Sequence, residues 1–177
     1  MPLTPKMASM HSIRNLAVGL PVRDGCVLVS DGSDSSTGEV FHRAIGGGIE
    51  FGETAEEALR REFAEELGVS LAAVHLLGVL ENIFTFEGMT GHEIVHVFAV
   101  DSDGLDGLPL NAELRVLDEG SPVGWRRISA LERPLYPAGA TPMLLEWLAG
   151  GPGLATTALA EPPPGSLGDH LDGAVDH

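Results

Sequence analysis

The fold of this chain is decided by the stretch GGGIEFGETAEEALRREFAEELGV, residues 46–69. Four glycines among its first seven residues predict a tightly bent backbone before a helix. Thr54 followed three residues later by Glu57 is typical of a capping box at a helix N-terminus. Gly68 stands where a helix C-terminus is expected. The stretch therefore predicts a glycine-rich loop that leads into a helix ending at Leu67.

Acidic side chains lie unusually close to the apolar side of this predicted helix. A buried stripe at helical spacing is formed by Ala55, Leu59, Phe63 and Leu67. Glu62, Glu65 and Glu66 stand one turn apart, with Glu66 nearly in line with Leu59 and Glu62 at the border of the stripe. Stacked like charges cost a few tenths of a kcal/mol even on an exposed helix. A bound divalent cation would relieve the repulsion, and oxygen donors suit Mg²⁺ better than zinc. A merely charged helix surface is the alternative interpretation.

The spacing of this stretch resembles the Nudix box. Gly47, five residues, Glu53, seven residues and then REFAEELGV, residues 61–69, match that pattern over 23 positions. The resemblance implies an α+β Nudix fold, in which a mixed β-sheet is sandwiched between helices (α/β/α). It extends from about Ile13 to Leu148, so that the expected Nudix domain spans residues 13–149.

The resemblance also implies an activity and roles for individual residues. Nudix hydrolases cleave the phosphoanhydride bond of a nucleoside diphosphate linked to another moiety, by attack of a metal-activated water on phosphorus. Mg²⁺ or Mn²⁺ is the expected cofactor, and the expected ligands are Glu62, Glu65, Glu66 and the backbone of Gly46. Glu53 helps to hold the site and Arg61 is its structural partner. Gly47 shapes the loop that meets the substrate phosphates.

Several residues outside the box have two interpretations. Glu119 and Glu93 are candidates for the general base, and each has a solvated carboxylate as its alternative. Arg43, just before the glycine-rich loop, is predicted to contact the substrate phosphate or to pair with an acidic neighbour. Phe84 and Phe86 share one side of a strand, where core packing is favoured over stacking on a base.

The remaining chain reads as strands, loops and one more helix. Asp24-Gly25 between two apolar runs predicts a hairpin, and Trp125 is expected in the core. Residues 87–92 are expected to connect two strands, and residues 102–112 to form a loop. A flexible leader is expected at residues 1–12 and a disordered tail at 150–177. Strands are predicted at residues 13–22, 26–30, 40–45, 74–86, 93–101 and 123–128, and a closing helix at 141–148.

Composition and charge limit the possible partners. The formal net charge is −16, from 10 basic and 26 acidic side chains. Such a field repels polymeric nucleic acid, whereas a small phosphate-containing substrate is compatible if a cation neutralises the contact. No segment has the length and apolarity of a membrane span. Cys26 is the single cysteine and is expected to be buried, which fits a cytoplasmic protein.

Three questions stay open at this level. The alternative to catalysis is a Nudix domain that binds a nucleotide or metabolite as a sensor, although such domains usually have eroded metal glutamates. A Nudix-fold isomerase is disfavoured because Cys26 lies far from the box in sequence. The substrate is undetermined among dinucleoside polyphosphates, ADP-ribose, nucleotide sugars and damaged nucleoside triphosphates, and a homodimer is possible.

Overall fold

The computed structural model describes residues 12–117 and 120–150. Within these ranges the chain forms nine strands, three α-helices and one short 3-10 helix at Ile128–Ala130. The strands and α-helices, in chain order, are β1 (Arg14–Arg23), β2 (Cys26–Ser33), β3 (Val40–Arg43), β4 (Ile45–Gly48), α1 (Ala55–Leu67), β5 (Ala73–Phe86), β6 (Met89–Asp101), α2 (Asp103–Asp106), β7 (Leu114–Arg115), β8 (Pro122–Arg127), β9 (Leu135–Tyr136) and α3 (Ala140–Leu148).

Strand β1 joins the two halves of the sheet. Its residues 16–19 pair antiparallel with β4, and its residues 14–21 pair parallel with β6. Its last residues, Val22 and Arg23, pair antiparallel with β2. Strand β2 then pairs with β3 and β8, while β5 flanks β6 and β9 flanks β3. Parallel and antiparallel pairs therefore coexist, and the predicted mixed sheet is confirmed.

Each face of the sheet packs against one helix. Leu59 and Phe63 of α1 are fully buried in a cluster that also contains Trp125. Ala140 and Leu144 of α3 are buried in a second cluster formed with residues of β1, β2 and β6. Removing these apolar surfaces from water is the main stabilising contribution to such a layered domain. The predicted α/β/α arrangement is confirmed, as are the buried positions of Trp125 and Cys26.

Two tight hairpin turns set the strand registers. Asp24 and Gly25 both have positive φ, at 51° and 72°, and connect β1 to β2 as predicted. Glu87 and Gly88, with φ of 50° and 76°, connect β5 to β6. The predicted six-residue connection at 87–92 is wrong, because residues 89–92 continue the ladder and Phe86 pairs directly with Met89.

Other differences from the predictions are local. The strand expected at residues 40–45 divides at Ala44 into β3 and β4, which pair with different partners. The loop expected at 102–112 contains the short helix α2. The predicted leader and tail lie outside the described residues, except for Ser12 and Gly150. No helix among the described residues combines the length and apolarity needed to cross a membrane.

A β-bulge in β5 changes which face its side chains occupy. The register with β6 shifts between Leu76 and Gly78. Before the shift Leu76 packs in the α1 cluster, whereas after it Leu80 packs in the α3 cluster. A Cβ atom at Gly78 would lie 2.8 Å from Cε of Met143 in α3. The bulge therefore turns the Leu80 side chain toward the α3 face, whereas the Leu76 side chain faces α1.

Candidate active site

Helix α1 begins and ends where its local sequence predicts. The Thr54 hydroxyl accepts a hydrogen bond from the Glu57 amide at 3.2 Å. The Glu57 carboxylate accepts from the Thr54 amide at 2.7 Å and from the Thr54 hydroxyl at 2.9 Å, and these two bonds hold the pKa of Glu57 below its ordinary value. Gly68 closes the helix with φ of 68° in the left-handed region. The helix is therefore a fixed support for the side chains that it carries.

The rotation of α1 is fixed by its buried side chains. Ala58, Leu59 and Phe63 have no measurable exposure. Phe63 packs directly over Gly19 of β1, where a Cβ atom would lie 2.7 Å from ring atom Cε2. With this face held against the sheet, the positions one residue before and three residues after Phe63 turn toward strand β4. These positions are Glu62 and Glu66.

Arg61 connects three of the glutamates to the glycine-rich loop. Its Nη2 atom lies 2.7 Å from Glu53 Oε1 and 2.9 Å from the Gly48 carbonyl oxygen. Its Nη1 atom lies 2.7 Å from Glu62 Oε1 and 3.2 Å from Glu65 Oε2. The hydrogen bonds to Glu53 and Glu62 raise the pKa of Arg61 further above its ordinary range, and those from Arg61 lower the pKa of Glu53. Three carboxylates are therefore gathered beside one guanidinium group.

The glycine-rich loop lies against the carboxylates of Glu62 and Glu66. The Gly46 amide donates to Glu66 Oε2 at 3.2 Å. Gly46 has φ of 136°, and a Cβ atom there would lie 2.2 Å from the Ala17 carbonyl oxygen, so no side chain fits. At Gly47, a Cβ atom would lie 2.6 Å from Cδ of Glu62. The absence of side chains at both positions allows the backbone to approach the carboxylates.

The donor set has the chemistry of a site for a hard divalent cation. Glu62, Glu65 and Glu66 offer only oxygen atoms, as do the carbonyl groups of the loop. In the described part of the chain, no three Asp, Glu, His or Cys side chains converge closely enough to enclose an ion. Nη1 of Arg61 donates hydrogen bonds to both Glu62 and Glu65. The residues fit the cation by donor type.

Glu93 lies apart from the carboxylates of α1. It shares its face of β6 with Val95 and Val97, which pack in the α3 cluster. Its side chain is 14% exposed and lies 3.5 Å from Nη1 of Arg14. Burial raises the pKa of Glu93, and the nearby charges of Arg14 and Arg43 oppose that rise. The structure therefore brings Glu93 close to Arg43, while Glu119 lies outside the described residues.

An open cavity of about 430 Å³ is lined in part by Arg43. Its lining includes Asp31, Gly32, Phe41, Arg43, Phe86 and Ser121. The prediction that Phe84 and Phe86 pack in the core is wrong, because their exposed fractions are 37% and 36%. The bulge in β5 and the pairing of strands far apart in sequence create this cavity. In the sequence, the alternation of Phe84 and Phe86 is the one feature that pointed to this cavity.

A second open cavity, of about 500 Å³, lies beside the loop that precedes α1. Asn15, Glu50, Phe51, Glu53 and His96 contribute to its lining. Nδ1 of His96 is buried without a hydrogen-bond partner among the described residues. His96 itself is half-buried on β6.

A mixed sheet between helices, with glutamates of a capped helix gathered beside a glycine-rich loop, is the architecture of the Nudix class. The family model described as NUDIX domain matches residues 13–144. The chain belongs to this family, and the resemblance inferred from the box is confirmed.

Individual relatives agree with this assignment. An oxidized purine nucleoside triphosphate hydrolase of Danio rerio is 40% identical over 93 residues, which are 52% of this chain and 58% of that protein. A MutT NUDIX hydrolase from Burkholderia pseudomallei has a TM-score of 0.55 and 28% identity, over 76% of this chain and 97% of that one. The E. coli ORF135 protein, with a TM-score of 0.55 and 24% identity over 78% and 90% of the two chains, shares the fold.

Proposed function

We propose that this chain is a Mg²⁺- or Mn²⁺-dependent hydrolase that cleaves a phosphoanhydride bond of a nucleoside diphosphate linked to another moiety. The observation that carries the proposal is the gathering of Glu53, Glu62 and Glu65 around Arg61, next to the backbone of Gly46–Gly48. A purely structural role does not explain why these carboxylates lie so close together. Binding of a divalent cation and a phosphate-bearing substrate explains it.

The cation would be held by Glu62, Glu65 and Glu66 together with the backbone carbonyl of Gly46. When bound, it would neutralise phosphate charge, polarise the phosphoryl oxygens and lower the pKa of a coordinated water. Glu53 acts differently, because it accepts hydrogen bonds from Arg61 and from the Glu50 amide, each at 2.7 Å. It fixes the guanidinium group, which in turn orients the neighbouring carboxylates.

The bond change itself follows general phosphoryl-transfer chemistry. A water oxygen attacks one phosphorus, and the bond from that phosphorus to the bridging oxygen breaks. The bonding electron pair leaves with the departing phosphate, and the water proton passes to a carboxylate base. Glu93 and Glu119 remain the candidates for this base, and the raised pKa of Glu93 suits a group that takes up a proton. Gly47 and Arg43 are proposed to meet the substrate phosphates.

The substrate is proposed to be a small nucleotide. The Danio rerio relative is named for oxidized purine nucleoside triphosphates, which supports a nucleoside triphosphate as the first compound to test. The net charge of −16 opposes polymeric nucleic acid. The single cysteine, Cys26, is compatible with a reducing cytoplasm, where we expect the activity.

The direct test is a hydrolysis panel of nucleoside triphosphates, nucleotide sugars, ADP-ribose and dinucleoside polyphosphates, with Mg²⁺, Mn²⁺ or a chelator. Cation-dependent cleavage of one compound class is expected, with loss of cleavage in Glu65→Gln. Hydrolysis in ¹⁸O-labelled water then identifies the attacked phosphorus. Activity that persists in chelator would contradict the cation. Nucleotide binding without cleavage of any compound would instead support the sensor alternative.

A further inference from the structure

The turn between β4 and α1 presents an aromatic ring to solvent. Two hydrogen bonds close this turn: the Glu53 amide donates to the Glu50 carbonyl at 3.2 Å, and the Glu50 amide donates to Glu53 Oε1 at 2.7 Å. Gly52 supplies the positive φ of 94° that the turn contains. Phe51 lies at its apex and is fully exposed. The turn therefore fixes the backbone that carries the ring, and no described residue covers the ring itself.

This turn forms part of the lining of the cavity of about 500 Å³. Strands β1 and β6 contribute Asn15 and His96 to the same lining. The Ile49 amide donates to the Asn15 carbonyl oxygen at 2.9 Å, which ties the turn to β1. The volume is in the range of small-molecule sites. None of the three glutamates of the candidate cation site lines this cavity, so the two sites are separate.

Two polar groups of the lining have no partner among the described residues. The Glu50 carboxylate is exposed and makes no hydrogen bond or ion pair in this part of the chain. Nδ1 of His96 is buried and also lacks a hydrogen-bond partner there. Glu53 differs from both, because its carboxylate is already held by Arg61 at 2.7 Å. The cavity thus contains one unpaired negative charge and one unsatisfied ring nitrogen.

Charge and polarity of the lining limit the class of ligand. Glu50 and Glu53 repel an anion, and the formal net charge of −16 adds to that repulsion. A hard metal ion makes no use of the apolar part of the lining, which comes from Ile49, Phe51 and Ala55. An organic cation with a short alkyl stem suits both parts, because the stem covers apolar surface while the charge meets a carboxylate and an aromatic face.

We propose that this cavity binds an alkylammonium group. The ammonium group pairs with the Glu50 carboxylate and lies against the face of Phe51, and the Asn15 side-chain oxygen accepts one of its hydrogens. The His96 ring turns about its Cβ–Cγ bond so that Nδ1 accepts another. The inference is independent of the proposed hydrolysis, since it uses none of the residues proposed to hold the catalytic cation.

Two sources carry this chemistry. One is a free aliphatic amine. The other is Lys6, the single lysine of the chain, which lies outside the described residues. Lys6 precedes β1, the strand that contributes Asn15 to the cavity. A free amine and Lys6 would compete for the same carboxylate, and the experiment can therefore tell them apart.

The experiment uses 1,4-diaminobutane as the probe and neutral 1,4-butanediol as its control of matched shape. Each is titrated into the ¹⁵N-labelled full chain at about 0.15 M ionic strength, which screens weak long-range attraction. The amide resonances of Asn15, Phe51 and Gly52 report binding in the cavity. Saturable shifts are expected with the diamine and none with the diol. The Nδ1 resonance of His96 is expected to shift with the same dissociation constant.

A variant of Lys6 distinguishes the two sources. An unchanged dissociation constant in Lys6→Gln identifies a free amine as the ligand. Several-fold tighter binding of the diamine in Lys6→Gln identifies the lysine as a competitor within the chain. Either result supports a site for an ammonium group.

Variants of the lining test the location of the site. Phe51→Ala removes the ring and is expected to weaken binding by about two- to fivefold, whereas Phe51→Tyr keeps a ring face and retains the affinity. Glu50→Gln is expected to weaken binding by about two- to fivefold, the scale of an exposed ion pair. Glu113→Gln, which removes the same charge at an exposed position outside the lining, is the matched control and leaves the affinity unchanged.

Three results would overturn the proposal. The first is the absence of saturable shifts in both wild type and Lys6→Gln. The second is an equal response to the diamine and the diol, which would exclude recognition of the charge. The third is an equal loss of affinity in Glu50→Gln and Glu113→Gln, which would show that the diamine responds to the net charge of the protein and not to this cavity. The outcome of the hydrolysis panel affects none of these.

Discussion

The Gly47 backbone and the Glu62 carboxyl group are in such close contact that a Cβ atom at position 47 would lie 2.6 Å from Cδ of Glu62. Glu62 is also hydrogen-bonded to Arg61 at 2.7 Å and is 15% exposed. A side chain at position 47 would therefore displace the Glu62 carboxylate. The first glycine of the box therefore leaves room for a neighbouring carboxylate.

The first prediction concerns Gly47→Ala. The added methyl group pushes Glu62 away from the loop, so we expect cation affinity and kcat to fall by about 10- to 100-fold, as for other displaced metal-site partners. Mn²⁺ titration followed by electron paramagnetic resonance measures the affinity. Gly48→Ala is the matched control, because a Cβ atom there meets nothing within 4 Å. Equal effects of the two substitutions would contradict this explanation.

The second prediction concerns the glutamates of α1. Glu65→Gln and Glu66→Gln should each lower kcat by about 10²- to 10⁴-fold, the usual scale for loss of a group that acts at the reacting centre. Stability should not fall, since Glu65 is 60% exposed and the amide oxygen introduced by Glu66→Gln can still accept from Gly46. Steady-state kinetics and thermal unfolding measure the two effects. Glu56→Gln, which removes the exposed pair with Arg60, is the control. Near wild-type turnover in either variant would remove that residue from the cation site.

A third prediction uses the pH dependence of stability at Glu93. Burial raises its pKa in the folded state above the ordinary 4.5, so the folded chain binds the proton more tightly than the unfolded chain. Stability therefore declines as the pH rises from the ordinary pKa through the folded value, and the cost is complete above that value. We expect Glu93→Gln to unfold at a higher temperature than wild type at about pH 7, with the difference disappearing near pH ~4. Glu113→Gln, at an exposed position, is the control.

The same variant tests catalysis. If Glu93 is the general base, Glu93→Gln loses turnover by about 10²- to 10⁴-fold while it gains stability at neutral pH. Glu119→Gln should then behave differently, because one carboxylate is expected to accept the proton. Small and equal effects on kcat in both variants would exclude both from the reaction.

The fourth prediction concerns the start of α1. Thr54→Ala removes the hydroxyl that accepts from the Glu57 amide, and it should lower the free energy of unfolding by about 1 kcal/mol. Thr54→Ser keeps the acceptor and should remain within a few tenths of a kcal/mol of wild type. Urea unfolding followed by circular dichroism measures both. Identical losses in the two variants would show that the cap contributes nothing.

The sequence by itself determined the loop and helix that carry the candidate site. Thr54, Glu57 and Gly68 act on backbone groups within a few residues, so their effect can be read from spacing. The helical period likewise placed Leu59 and Phe63 in the core and brought Glu62 and Glu66 beside the loop. Both the box and the Asp24-Gly25 turn depend on short-range geometry, which explains why these predictions are confirmed.

The tertiary structure alone decided which distant strands meet and which face each side chain occupies. Simple alternation puts Leu80 on the same face as Leu76, but the register shift between Leu76 and Gly78 places Leu80 in the α3 cluster instead. The hydrogen bond that the Glu87 amide donates to Asp34 Oδ2 joins residues 53 positions apart, and no local sequence pattern predicts it. Such contacts depend on long-range strand pairing, and a single inserted residue in one strand reverses the face of every side chain that follows it.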